Sequence, residues 1–133
     1  MPSPLLSLLV LKVRDLEACC AFYSSTGLQL VRERHGRGPE HVSANAGGHV
    51  LLELYPANAD TPTPQVRLGF TVTSVEATIS AVLQAGGTLI SPPVQGEWGL
   101  RAVVFDPEGH RVEFVEATAG VDAESSKPNA VET

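Results

Sequence analysis

Val13-Arg14-Asp15-Leu16-Glu17-Ala18 returns 59 residues later as Val72-Thr73-Ser74-Val75-Glu76-Ala77, and this repetition decides the fold. Each copy reads as the end of an apolar strand, a residue able to cap a helix (Asp15, Ser74), and the start of an amphipathic helix. Downstream, Gly27-Leu28-Gln29-Leu30-Val31 returns as Gly86-Gly87-Thr88-Leu89-Ile90. A duplicated unit of this size cannot bury its apolar face alone and packs against its twin or another chain. The repeat also states which positions in the two halves are equivalent.

Working outward, the first unit spans about residues 5–56. A strand is predicted over Leu5–Val13, then a helix over about Leu16–Ser25, stopped at Gly27. Further strands fall near Leu28–Arg34, His41–Ala46 and His49–Tyr55, with turns at His35–Pro39 and Gly47-Gly48. Residues 57–65 (Ala-Asn-Ala-Asp-Thr-Pro-Thr-Pro-Gln) form a linker by composition. The second unit, about 66–117, has a strand at Val66–Thr73, a helix from Ser74 to about Ala85, and strands near Thr88–Ile90, Leu100–Phe105 and Arg111–Glu116. Ser91–Gly99 reads as a loop, and Asp106-Pro107-Glu108-Gly109 as a tight turn. Residues 118–133 lack bulky apolar side chains except Val121 and Val131 and read as a flexible tail. The expected fold is therefore α+β: one domain over 1–117 made of two tandem βαβββ modules, with helices on one face and a curved mixed sheet enclosing a cavity on the other.

Composition narrows the function classes. The chain has 133 residues, 43% of them hydrophobic, and 15 acidic against 9 basic side chains give a net charge of −6. Such a balance argues against nucleic-acid binding, which calls for a basic surface. The apolar run Leu5–Leu11 is too short to span a membrane and lacks the flanks of a signal peptide. Cys19 and Cys20 are adjacent, which suits neither an ordinary disulfide nor a zinc knuckle, and agrees with a reducing cytoplasm. One of them is expected in the core.

Strand alternation assigns the faces. Val66, Leu68, Phe70 and Val72 go to the helices, leaving Arg67, Gly69 and Thr71 on the open side. Val112 and Phe114 go to the helices, leaving Arg111, Glu113 and Val115; Val50, Leu52 and Leu54 do the same, leaving Leu51, Glu53 and Tyr55. By the offset, the first strand presents Leu6, Leu8, Val10 and Lys12 to the same inner surface. Leu8, Glu53, Arg67 and Glu113 thus take four equivalent central positions. His35, His41, His49 and His110 lie in or beside turns without metal-ligand spacing and read as surface histidines.

At these residues the chain resembles a known group. The duplicated βαβββ pattern, Val13-Arg14-Asp15-Leu16 leading to Ala21-Phe22-Tyr23 and Gly27, and Asp106-Pro107-Glu108-Gly109-His110-Arg111-Val112-Glu113 together look like the vicinal oxygen chelate superfamily. That superfamily includes glyoxalase I, bleomycin-resistance proteins and extradiol dioxygenases. The resemblance implies metal ligands in the first and last strand of each module, at Leu8, Glu53, Arg67 and Glu113. Only the glutamates match. Leu8 offers no lone pair, and Arg67 is always protonated. The resemblance also implies a basic residue at Lys12 for an anionic ligand group, and a loop carrying Trp98 that closes over the cavity mouth.

The resulting expectation is a binding protein with a degenerate metal site, taking a small organic drug or metabolite. Its ligand-binding residues would be Leu8, Lys12, Leu51, Glu53, Tyr55, Arg67, Trp98 and Glu113. No cofactor is expected, beyond a divalent metal held weakly by Glu53 and Glu113. The alternative is a glyoxalase-type lyase or isomerase in which Glu113 or Glu53 removes a proton α to a carbonyl. A homodimer is the expected assembly.

Overall fold

The computed structural model describes residues 3–117, so the tail expected at 118–133 lies outside the described residues. The first module is β1 (Leu8–Val13), α1 (Leu16–Ser25), β2 (Val31–Glu33), β3 (His41–Asn45) and β4 (Leu51–Pro56). The second is β5 (Arg67–Val72), α2 (Val75–Gln84), β6 (Thr88–Gly96), β7 (Gly99–Phe105) and β8 (Arg111–Glu116). The strand orders are β1-β4-β3-β2 and β5-β8-β7-β6. First and last strands pair in parallel and the rest antiparallel. A parallel pair needs a crossover, and each helix begins that crossover.

Both helices start as their sequences direct. The Asp15 carboxylate accepts the Ala18 amide at 3.0 Å, and the Ser74 hydroxyl accepts that of Ala77 at 3.1 Å. Gly27 and Gly86 follow the helices with φ of 106° and 105°, a left-handed backbone that glycine tolerates without a Cβ penalty.

The helix-facing residues of both sheets merge into one core. Leu11, Val13, Leu52 and Leu54 of the first sheet join Ala102, Val104, Val112 and Phe114 of the second around Phe22, Tyr23, Ile79 and Val82 of the helices. Cys19 lies in this core, as expected for one of the pair. Burial, and then the nearby Asp106 carboxylate, push its thiol upward, so it is no nucleophile.

Two polar tethers clamp the modules together. Asp106, in the β7–β8 turn, accepts Tyr23 Oη at 2.6 Å, and its other oxygen accepts the amides of Glu108 and His110. His110 Nδ1 lies 3.0 Å from Asp106 and Nε2 lies 3.2 Å from the Thr63 carbonyl. Glu108 accepts the Asp15 amide at 3.0 Å and the Arg14 guanidinium at 3.4 Å. The linker is itself stitched down, because Thr63 exchanges hydrogen bonds with the backbone of Lys12.

Four expectations need correction. Ser91–Gly96 is strand, not loop: β6 runs on to Gly96, and only Glu97-Trp98 form the turn into β7. Pro92 and Pro93 mislead because β6 is an edge strand, where a missing N–H breaks no ladder, and register shifts accommodate them. Leu5–Ser7 precede β1 rather than belonging to it, and β2 is confined to Val31–Glu33. Finally, His41 and His110 are not surface residues, at 1% and 2% exposure; His35 and His49 are exposed.

Candidate functional site

Each sheet turns one face to the shared core and the other away from it. The alternation read from sequence holds on both sheets, since Leu52, Leu54, Val112 and Phe114 are core while Leu51, Glu53, Arg67 and Arg111 are not. Glu53 pairs with Val10 and Glu113 with Gly69, so the two glutamates occupy the same register position in the two modules.

On the first sheet, a cavity of about 490 Å³ is lined by Leu8, Val10, Lys12, Pro39, Glu53, Tyr55, Pro56 and Asp60. Its floor is the outward face of β1 and β4. Lys12 is ion-paired to Asp60 of the linker. Tyr55 stacks on His41, ring centroids 4.1 Å apart and planes within 8°. Antiparallel pairing of β3 with β4 puts these two rings side by side. Leu51 lies beside Leu8 in register and is exposed.

On the second sheet, Glu113 is buried and one of its oxygens, Oε1, accepts both Arg67 Nη2 and Arg101 Nε, each at 3.1 Å. Arg101, from β7, was not anticipated; its place on the open face follows from the same alternation once β7 is known to pair with β8. Arg67 and Glu113 are thus brought together. Glu53 stands in the other sheet, with no ion pair to Arg67 among the described residues. Trp98 sits half-buried at the β6–β7 turn, between Gly96 and Gly99.

These positions do not suit the superfamily's metal. Leu8 supplies no donor atom, and Glu113 already holds two guanidiniums whose charge opposes a cation. Glutamate and histidine instead gather around His41, a grouping that the sequence reading missed. Pairing of β2 with β3 sets Glu33 directly opposite His41. His41 Nε2 lies 3.2 Å from Glu33 and 4.0 Å from Glu53, and His35 Nε2 lies 3.6 Å from Glu33. The signal available in sequence was Glu33-x-His35 facing His41 across a short hairpin, visible only once that hairpin's register is fixed.

Comparison with known proteins now places the chain. The family model Glyoxalase/Bleomycin resistance protein/Dioxygenase superfamily matches residues 6–114, and the protein belongs to that superfamily. An uncharacterised protein of Mycolicibacterium smegmatis is 32% identical over 108 residues, covering 80% of this chain and 89% of the relative. A glyoxalase-related enzyme from Fulvimarina pelagi has a similar structure, with a TM-score of 0.70 at 23% identity over 90% of this chain and 96% of that one. An antibiotic binding protein from a Streptomyces species gives 0.68 at 22% identity over 89% and 99%. At these identities the structural likeness establishes the fold alone.

Proposed function

We propose that this protein binds a small organic molecule against the open face of its first sheet, as a sequestering or sensing protein. The observation that carries the reading is the cavity over β1 and β4: an apolar floor of Leu8 and Val10, an aromatic wall at Tyr55, and charged groups at Glu53 and Lys12. Its volume is within the range of small-molecule sites, which are mostly apolar with a few placed polar groups. Arg67, Arg101 and Glu113 give the second sheet a polar patch at the equivalent register, and Trp98 a turn-borne aromatic ring. The antibiotic-binding relative supports the same kind of ligand.

The assembly that fits is a homodimer. Leu5, Leu6 and Leu8 are exposed at 69%, 66% and 49%, and Val31 and Leu51 are exposed on the same sheet. Apolar side chains gathered in this way favour a covering partner. Both cysteines are free thiols, a state suited to the cytoplasm. No helix among the described residues is long and apolar enough to cross a membrane.

The lyase or isomerase reading draws less support, because Glu113 is tied to Arg67 and Arg101 through Oε1 rather than standing as a lone carboxylate facing a substrate. The deciding experiment is a thermal-shift screen of cationic and anionic aromatic antibiotics on wild type and Leu8→Arg. A ligand at about a hundred times its Kd adds about 2.7 kcal/mol of stability. Stabilisation of wild type that vanishes in Leu8→Arg supports the reading; equal shifts in both proteins sink it.

A further inference from the structure

We infer that the β2–β3 hairpin holds a divalent transition-metal ion between Glu33, His35 and His41, with Glu53 beside His41 as a further oxygen donor, at the rim of the first-sheet cavity. This site uses none of the three strand positions Leu8, Arg67 and Glu113; it shares Glu53 with the ligand cavity, but its three closest donors, Glu33, His35 and His41, lie outside that cavity's lining.

The geometry of His41 comes first. Its Nδ1 lies 3.2 Å from the carbonyl oxygen of Pro39. A carbonyl can only accept, so Nδ1 carries hydrogen and Nε2 is the atom left to face the cluster. Backbone carbonyls of this kind orient metal-bound imidazoles and fix their tautomer. The ring is further held by stacking on Tyr55 and by burial. Nε2 therefore has one direction available, and along it stand Glu33 at 3.2 Å and Glu53 at 4.0 Å.

The donors also match in number and spacing. Glu33, His35 and His41 each offer one atom, and these lie within 4.8 Å of one another. A tetrahedral ion with bonds of about 2.0–2.1 Å separates its donors by roughly 3.3 Å. Two of the separations, 3.2 Å and 3.6 Å from Glu33, are already there. A single proton between Nε2 and Glu33 uses two of these three groups; an ion uses all three, and Glu53, 4.0 Å from Nε2, can swing in as a further oxygen donor. His35 is exposed and can pivot to close the set, while His41, Glu33 and Glu53 sit on strands. Two imidazoles and two carboxylates select a borderline cation such as zinc, nickel or cobalt over calcium or magnesium.

The test uses the untagged full-length chain, stripped with a chelator, dialysed against zinc and analysed for retained metal, with cobalt(II) as a spectroscopic probe. About one zinc per chain and a visible tetrahedral cobalt band are expected. His35→Ala, whose side chain is exposed and carries no fold, and Glu33→Gln should each weaken retention at least tenfold, the least that even an outer-shell loss costs. His41→Phe should abolish it while keeping the stack on Tyr55. Failure of the wild type to retain zinc, or retention unchanged in both His35→Ala and Glu33→Gln, overturns the proposal. Loss on Glu113→Gln with retention in His35→Ala overturns it too, and moves the ion to the second sheet.

Discussion

Two side chains of the Asp-Pro-Glu-Gly-His turn do more than close a hairpin. Asp106 accepts from Tyr23, Glu108 and His110 in a dry setting, so its removal strands the Tyr23 hydroxyl. Asp106→Ala should cost about 3 kcal/mol, measured as a lowered urea midpoint. Glu108 gives a pH signature. Burial opposes its ionisation, but hydrogen bonds from the backbone of Arg14 and Asp15 and from the Arg14 guanidinium outweigh that, and its carboxyl titrates below the ordinary 4.5. Its stabilisation is then complete above that ordinary value and is lost as pH falls through the lower folded one. The stability gap between wild type and Glu108→Gln should be constant near neutrality and shrink as pH falls below the ordinary 4.5. The turn was legible from its residue types. Its partners were not, because Tyr23 and Asp106 are 83 residues apart and sequence patterning reports only local spacing. The same blindness hid His41, which reads as a turn neighbour until strand pairing buries it against Tyr55 and Glu33.

At the scale of elements, the caps and stops were readable because they act within one helical turn. Ser74→Ala should lower stability by about 1 kcal/mol through loss of the Ala77 bond. Gly87 shows what local reading leaves out. It reads as half of a helix stop, yet a Cβ placed there would lie 2.8 Å from Phe22 Cε1, 3.0 Å from the Val82 carbonyl and 3.3 Å from that of Phe105. Two of those atoms are backbone and the third belongs to the other module. Gly87→Ala should therefore cost about 1–3 kcal/mol by forcing α1 and α2 apart, and thermal unfolding checks it. The β6 strand failed to register in sequence for a complementary reason: two prolines suppress any strand signal, and only the knowledge that β6 is an edge makes them harmless.

For the whole molecule, the offset of 59 residues carried the architecture, since equivalent positions fall on equivalent strands in matching register. It could not say how the halves face one another. They share a core through their helices and present two separate open faces, with Glu53 on one and the Arg67–Glu113–Arg101 group on the other. An assembly that covers these faces should break when they are charged. Light scattering is expected to give about twice the 14.0 kDa chain mass for wild type and a single-chain mass for Leu8→Glu combined with Leu51→Glu, two exposed neighbours on the first sheet.

The shared core has a consequence for how the chain can be divided. Neither half owns the interior that stabilises it, and the segment joining them crosses open surface at Asn58, Ala59 and Asp60, all exposed. A cut there severs one covalent link and leaves the Tyr23–Asp106 and Arg14–Glu108 tethers intact. The two pieces should stay associated after nicking by protease. Produced separately, each should remain soluble only when supplied with the other, so that the ancestral duplication can be replayed in the test tube as fragment complementation.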